Sequence, residues 1–240
     1  MKSKSLYILL ISSLTFLFIS CISVPSGQKE STKASFAYKT VEVSEQLYYL
    51  NTKIKYPQFD GISELNKRIE NTILSNWKSF KSYSQTEWND IVALNNRGSS
   101  KLPSFEYLVT FEVNGTSEII SVLINTYIFN GGAHGNTSLA SFNYDTTNSR
   151  FIDIQTASGM NYNEISSVCR NQLYKRLIDE DKNGIPPAEK DSMREMINTG
   201  AFPQAGNFQI FTIEGSKVYA WFEPYSVAPY SYGIQKVQVK

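Results

Sequence analysis

Histidine and cysteine are scarce in this chain. Its 240 residues include one histidine, His134, and two cysteines, Cys21 and Cys169. A zinc site built from these residue types needs three or four of them as ligands. The composition therefore excludes such a site and, with it, most zinc hydrolases.

An excess of charge of either sign is also missing. The chain carries 23 Lys and Arg against 22 Asp and Glu, a formal net charge of +1. This balance gives no electrostatic reason to expect nucleic acid or an anionic surface as a partner. Hydrophobic residues make up 41% of the chain and charged residues only 19%, which indicates a packed globular protein and not a disordered chain.

Two motifs that would point to a particular chemistry are absent. The chain has no Gly-x-Ser-x-Gly elbow that would expose a nucleophilic serine. The glycine-rich segment at residues 130–135 lacks the spacing of a phosphate-binding loop. Composition and motifs by themselves therefore identify no activity.

The long apolar run of the chain lies at its N-terminus. Lys2 and Lys4 precede residues 6–19, which are apolar apart from small hydroxyl residues. A spanning helix needs about 20 apolar residues, whereas a short apolar run after basic residues is typical of a secretory signal peptide. We therefore predict that residues 1–20 are a signal peptide and not part of the fold.

Cys21 directly follows this run. The segment LFISC at residues 17–21 resembles the lipobox of bacterial lipoproteins, although Phe18 stands where leucine is usual. The resemblance implies a fatty acid such as palmitate on Cys21 and a membrane anchor outside the cytoplasm. An ordinary signal peptide cleaved elsewhere is the alternative. Residues 21–35 are small and polar, which predicts a flexible tether.

Periodicity predicts helices placed between antiparallel strands. Residues 36–43 and 47–59 favour strands, and apolar residues then recur every three or four positions from Ile62 onward, which predicts a long helix capped by Asp60. Two more helices are expected, one with Cys169 buried in its apolar stripe and one ending at Gly200. Further strands are expected at residues 137–144, 151–155, 208–213, 217–223 and 234–239.

This order of elements indicates an α+β fold, in which antiparallel hairpins pack with amphipathic helices. We divide it into two consecutive halves of one compact unit, residues 36–146 and residues 147–240. In the first half, Asn114-Gly115 fits the two central positions of a type I′ turn. A two-residue loop there would pair Tyr107 with Val122.

His134 has the most unusual surroundings in the sequence, because Gly131, Gly132 and Gly135 lie beside it. Glycines permit positive φ angles, so this segment is expected to turn tightly between two strands. His134 is a candidate binding residue. Two alternatives remain, a hydrogen-bonded histidine with a structural role and the base of a hydrolase that acts on envelope polymers.

An acidic segment between two predicted helices matches the opening of a calcium-binding loop. Asp179, Asp181 and Asn183 supply oxygen atoms at alternate positions, and Glu189 is a further candidate ligand. The twelfth position, where a bidentate glutamate belongs, is Lys190. We therefore expect no cofactor and a solvated acidic loop at this position, with calcium binding as the alternative.

The C-terminal segment at residues 221–233 combines five aromatic residues with two prolines. Aromatic rings on a proline-stiffened loop form a contact surface that loses little conformational entropy on binding. Tyr225, Tyr230 and Tyr232 are the candidate binding residues, because strand alternation directs Trp221 or Phe222 into the core.

Three stretches of the chain resemble a family of bacterial extracytoplasmic domains. The family occurs in RsiV-type anti-sigma factors and as the noncatalytic N-terminal region of PdaC-type peptidoglycan deacetylases. The matching stretches are YIFNGGAHGNTSLASFNYD at residues 127–145, a strand and helix at residues 56–73, and the hairpin and Tyr-x-Val-Ala-Pro-Tyr segment at residues 208–233.

This resemblance implies an α+β fold in two halves and a place outside the cytoplasmic membrane. It implies no established chemistry, because the domain is largely of unknown function. RsiV-type proteins sense lysozyme with this region, and PdaC-type enzymes carry catalysis in a separate metal-dependent domain. We therefore expect a lipid-anchored envelope protein that binds cell-wall glycan or a protein such as lysozyme. A purely structural envelope lipoprotein is a further alternative.

Overall fold

The structure is a computed structural model that describes residues 36–95, 104–180 and 184–240. The signal peptide, the lipidation site Cys21 and the tether predicted from the sequence lie outside the described residues. Asp181 and Asn183 of the candidate calcium loop lie outside them as well.

The first elements are a hairpin and a long helix. Strand β1 (Tyr38–Gln46) pairs antiparallel with β2 (Leu50–Phe59), and helix α1 (Ser63–Asn95) follows. The apolar stripe predicted from the periodicity is buried, since Leu65 and Ile69 are fully inaccessible to solvent. The helix begins at Ser63, so the prediction that Asp60 caps it is wrong.

The next strands are β3 (Phe105–Gly115) and β4 (Ile119–Phe129), which form the predicted hairpin with a different turn. Tyr107 pairs with Ile128 and not with Val122, so the predicted register is wrong. The chain reverses beyond Gly115, because the hydroxyl of Thr116 accepts hydrogen bonds from the backbone of Glu118 and Ile119. The slip is an even number of residues, and one face of both strands is therefore still apolar and buried.

Strand β5 (Asn136–Asp145) pairs with β4, and the two-residue strand β6 (Arg150–Phe151) pairs with the end of β5. Helix α2 (Ile154–Ser158) follows, where the sequence predicted a strand. Helix α3 (Tyr162–Tyr174) starts with a capping box formed by Asn161 and Glu164, and continues into a wider turn at Lys175–Asp179. The predicted strand at residues 151–155 thus ends at Phe151, because the Asp153 side chain accepts the backbone N–H of Thr156 and starts α2.

Helix α4 (Pro187–Gly200) begins and ends where proline and glycine predict. Strands β7 (Phe211–Glu214), β8 (Lys217–Phe222) and β9 (Gln235–Gln238) complete the chain as an antiparallel meander. The predicted hairpin around Glu214-Gly215 and the predicted last strand are confirmed.

The nine strands of the described residues form one sheet in the order β6-β5-β4-β3-β7-β8-β9, with β2 beside β3 and β1 beside β2. Most neighbours are antiparallel, the exceptions being β2 beside β3 and the contact of β3 with β7. The predicted α+β class is confirmed. Of the helices in these residues, none is long and apolar enough to cross a membrane.

The interior consists of two hydrophobic cores. The N-terminal core lies between α1 and strands β2 to β5, with Leu50, Ile69 and Tyr107 at its centre. The C-terminal core lies between α3, α4 and strands β7 to β9, with Ile165, Cys169 and Ile197 fully buried. Burial raises the pKa of the Cys169 thiol to about 12. The prediction that Cys169 is a buried hydrophobic residue is confirmed.

A candidate binding surface where two loops meet

The glycine-rich loop connects β4 to β5 and requires glycine at two positions. Gly131 has φ +86°, a conformation that residues with a Cβ atom rarely adopt. A Cβ atom on Gly135 would lie 2.2 Å from Cζ of Tyr127, so that ring can pack directly against the backbone. The expectation that this segment contains a positive φ angle is confirmed.

The C-terminal loop leaves β8 through a tight turn. The N–H of Ser226 donates to the carbonyl of Glu223 at 3.1 Å, with Pro224 at the second position, where its fixed φ is favoured. Tyr225 occupies the third position with φ +70°, which is unusual for a residue other than glycine. Its side chain is 57% exposed, so the turn holds this ring out from the protein.

The two loops meet through aromatic rings and one shared carbonyl. The rings of His134 and Tyr230 are stacked, with centroids 3.9 Å apart and planes 21° apart, and Tyr225 lies 5.6 Å beyond Tyr230. The Tyr230 hydroxyl donates to the carbonyl of Gly135 at 2.7 Å, and Nδ1 of His134 donates to the same oxygen at 2.9 Å. We call these three residues, His134, Tyr230 and Tyr225, the aromatic stack.

Tyr232 is placed differently from the other two tyrosines. It is half-buried and packs against the C-terminal core, and its backbone carbonyl accepts a hydrogen bond from the Gln235 side chain. The structure therefore brings together three of the four binding candidates. Tyr232, in the single turn at Tyr230–Tyr232, thus contacts the core with part of its ring, and its role in binding stays a prediction.

His134 lacks the partners of a catalytic base in the described part of the chain. Its hydrogen bond goes to a backbone carbonyl, and its ring contact is with Tyr230. A general base needs a nucleophile within hydrogen-bond reach and usually a second group that orients the imidazole. This geometry supports a binding or structural role for the residue.

Two clefts with polar residues in their lining adjoin the C-terminal loop. One, of about 340 Å³, lies between α4 and Tyr225 and includes the Glu195 carboxylate and Thr199. The other, of about 290 Å³, includes Thr199, Gln204 and Glu223. Close approach of α4 to the loop depends on Gly200, because a Cβ atom there would lie 1.9 Å from the carbonyl oxygen of Ser226. The aromatic stack therefore stands next to hydrogen-bonding groups.

The sequence did not single out Glu195, Gln204 or Glu223 as part of this surface. Glu223 fastens the loop to the sheet, because its Oε1 accepts the backbone N–H of Leu139 at 2.5 Å. Residues 139 and 223 are 84 positions apart, and no local pattern could have predicted that contact. The one available signal was the clustering of Glu223 with the aromatic residues that follow it.

The candidate calcium ligands are only partly described. Asp179 ends the wide turn after α3, and Glu189 lies in the first turn of α4. Both are exposed. Within the described residues, no group of three or more His, Cys, Asp or Glu side chains is arranged to hold a metal ion. Calcium binding stays a prediction.

The fold and this surface define a two-core α+β domain with exposed aromatic rings at the junction of two loops. Residues 43–137 match the family model described as "Deacetylase PdaC", and residues 156–240 match the model described as "Protein of unknown function (DUF3298)". The two matches support a PdaC/RsiV-like extracytoplasmic domain of unknown function. This similarity suggests an envelope-associated protein.

Individual relatives agree with this assignment. Over 133 residues, the chain is 26% identical to the peptidoglycan-N-acetylmuramic acid deacetylase PdaC of Bacillus subtilis, but it spans only 26% of that protein's length. A DUF3298 family member from Bacteroides fragilis has the same fold with a TM-score of 0.57 and 14% identity over 87% of this chain and 91% of its own. A second DUF3298 family protein, from Pseudomonas aeruginosa, has a TM-score of 0.51 and 13% identity, and the match covers 86% of this chain and 90% of its own.

Proposed function

We propose that this protein is a lipid-anchored component of the cell envelope whose domain binds cell-wall glycan without turning it over. The observation that carries the proposal is the aromatic stack, which places an exposed Tyr225 ring beside two clefts lined with carboxylate, amide and hydroxyl groups. A sugar ring offers an apolar face and a rim of hydroxyl groups. The surface offers a partner for each.

The comparisons support glycan as the ligand class. The Bacillus relative is named for a peptidoglycan sugar, and the shared region covers half of this chain. The absence of a nucleophile beside His134 in the described residues favours binding over hydrolysis. A rigid tyrosine pays little conformational entropy on binding, and the turn already fixes Tyr225 in place.

Sedimentation of the full chain with purified peptidoglycan tests this proposal. Tyr225→Ala and Tyr230→Ala should each weaken binding about thirtyfold, the loss of one interface anchor. Tyr83→Ala is the matched control, because Tyr83 lies on α1 and is similarly exposed at 47%. Unchanged binding by both stack variants would refute the proposed surface.

Three further outcomes would indicate the other functions. If the domain is a hydrolase, soluble sugar products should accumulate and should disappear in His134→Ala. If its partner is a protein such as lysozyme, the chain should bind immobilised lysozyme and not peptidoglycan. A structural lipoprotein should bind neither.

The lipid anchor is the second part of the proposal, and it is supported by the lipobox-like segment that ends at Cys21. Radioactive palmitate should label the protein in cells, and Cys21→Ser should abolish the label and release the protein from the membrane fraction. Cys169→Ser is the matched control and should keep the label. Label that persists in Cys21→Ser would exclude acylation at this residue.

A further inference from the structure

A larger cleft lies where the two halves of the molecule meet. Its volume is about 450 Å³, which is within the range of about 300–1,000 Å³ usual for small-molecule sites. Arg68 of α1 forms one wall, and Tyr162 of α3, Phe208 and Gln209 form another. We call it the junction cleft. Each half supplies only part of it, so the site exists only in the assembled fold.

Among the described residues, Arg68 is the one cation that lines the junction cleft. Its guanidinium carbon lies 4.4 Å from the centroid of the Phe151 ring, which holds the side chain in place. In the described part of the chain, this guanidinium has no ion pair and no hydrogen bond to an acceptor. Its planar set of N–H donors is therefore free to bind a carboxylate with two parallel hydrogen bonds.

The acidic residue of the cleft does not neutralise Arg68. Oδ1 of Asp153 accepts the backbone N–H of Thr156 at 2.8 Å as the N-cap of α2. These hydrogen bonds hold the pKa of Asp153 below its usual value, so the carboxylate stays ionised and can accept a hydrogen bond from a ligand hydroxyl or amide. The described lining of the cleft thus combines an unpaired cation with a carboxylate that α2 holds in place.

Aromatic residues also line the cleft. The rings of Tyr162 and Phe208 are nearly parallel, with planes 14° apart and centroids separated by 6.2 Å. Phe208 is buried and holds Tyr162, which is itself half-exposed. Gln209 lines both the junction cleft and the smaller cleft of about 290 Å³ beside the C-terminal loop. The two clefts are therefore neighbours.

We propose that the junction cleft binds a carboxylate-bearing sugar, with the carboxylate on Arg68, the ring against Tyr162 and a hydroxyl or amide on Asp153. The ligand class rests on the proposed function, but the residues do not, because none of these three belongs to the aromatic stack. A glycan that contacts the stack could continue past Gln209 into this cleft. Recognition of the carboxylate would then add specificity for acidic sugars to a surface that otherwise contacts ring faces and hydroxyl groups.

Two soluble sugars test the charge requirement directly. N-acetylmuramic acid is N-acetylglucosamine with an added lactyl ether, which carries a carboxylate. In a titration of the full 240-residue chain in mild detergent, N-acetylmuramic acid should bind at least about tenfold more tightly, the usual effect of a hydrogen-bonded charge. Equal affinity for the two sugars, or no binding of N-acetylmuramic acid, would overturn the proposal.

Variants locate the site. Arg68→Gln should lower the affinity for N-acetylmuramic acid to that for N-acetylglucosamine, and Tyr162→Ala, in the other half, should weaken both sugars. Lys67→Gln is the matched control, because Lys67 is an exposed cation next to Arg68 that does not line the cleft. Unchanged binding by Arg68→Gln would exclude the cleft.

The test of the junction cleft can fail or succeed independently of the test of the proposed function. Tyr225→Ala should weaken binding to the peptidoglycan polymer but leave the affinity for N-acetylmuramic acid unchanged. If the polymer does not bind and N-acetylmuramic acid does, the stack proposal fails and the junction cleft stands. If the polymer binds and Arg68→Gln changes neither the affinity for the polymer nor that for N-acetylmuramic acid, the junction cleft proposal fails and the stack proposal stands.

Discussion

Tyr225 combines an exposed aromatic ring with a backbone conformation that lowers the stability of the fold. A residue with a Cβ atom at positive φ costs about 1–2 kcal/mol, and glycine is the usual residue at this position of such a turn. The observed φ of +70° therefore puts a large side chain at a position where backbone strain favours glycine. In the described structure that ring projects from the loop and contacts only Tyr230 among aromatic residues.

We predict that Tyr225→Gly is more stable than Tyr225→Ala by about 1 kcal/mol, because both lose the ring but only glycine relieves the backbone strain. Urea unfolding of the two variants measures the difference. Both should lose peptidoglycan binding equally. An alanine variant that is as stable as the glycine variant would show that the turn is not strained.

The glycine-rich loop allows a second comparison at the residue scale. Gly131→Ala should lower the free energy of unfolding by about 1–2 kcal/mol, because φ is +86° and the new Cβ would lie 3.1 Å from the buried Phe105 ring. Gly132→Ala is the control, since nothing lies closer than 3.9 Å to its Cβ position. His134→Ala should also cost little, because the imidazole is exposed. Thermal melts rank the three, and a greater loss in His134→Ala would contradict this account.

At the scale of an element, helix α3 illustrates how burial couples to pH. Cys169 is fully inaccessible, and burial raises the pKa of its thiol to about 12. The unfolded chain therefore releases this proton first, near its ordinary pKa of about 8.5. Because the folded state then binds more protons than the unfolded state, stability falls as the pH rises.

We predict a loss of about 1.4 kcal/mol per pH unit from this thiol between about pH 9 and pH 12. Buried tyrosines such as Tyr107, whose pKa is also raised to about 12, add to the slope above about pH 10. Urea unfolding between pH 8 and pH 10 isolates the cysteine. Cys169→Ala should show a flatter profile, and an identical slope in both proteins would mean that the thiol ionises freely in the fold.

The hairpin of β3 and β4 belongs to the same scale. The alternation of apolar residues predicted both strands and the face they bury, because a strand repeats every two residues. The register depended on which residues form the turn. Asn114-Gly115 carries the stronger local signal, yet the hydroxyl of Thr116 closes the turn that the protein adopts.

For the whole molecule, a buried polar network joins the two halves. Ser121 of β4 donates to Oδ1 of Asn143 at 2.6 Å, and Nδ2 of Asn143 donates to the carbonyl of Phe211 on β7 at 2.9 Å. The Ser121 hydroxyl in turn accepts the N–H of Ile213 at 2.9 Å. Ser121 and Asn143 are buried, so these bonds link N-terminal strands to C-terminal backbone away from water.

We predict that Asn143→Ala lowers the free energy of unfolding by about 2–4 kcal/mol, because the buried Ser121 hydroxyl loses its acceptor and the Phe211 carbonyl loses the amide that donates to it. Asn136→Ala, at the exposed start of the same strand, should change little. Urea denaturation followed by circular dichroism measures both. A small loss in Asn143→Ala would mean that water replaces the amide and that the halves are held by packing alone.

The amino-acid sequence was sufficient to predict the features that depend only on residues close together in the chain. Local periodicity predicts the buried stripe of α1 and the strands of the C-terminal meander. Backbone preference predicts the two ends of α4, which lie at a proline and a glycine. The same reasoning identified Tyr225, Tyr230 and His134 individually as candidates.

The sequence could not show that Tyr230 and Gly135, 95 residues apart, share a hydrogen bond, or that Tyr232 packs against the core. The junction cleft could not be predicted from the sequence either, because α1 and the Phe208 region come together only when two cores pack on one sheet. Contacts at such separations are selected by packing and by the pairing of buried polar groups, and only the tertiary structure decides them.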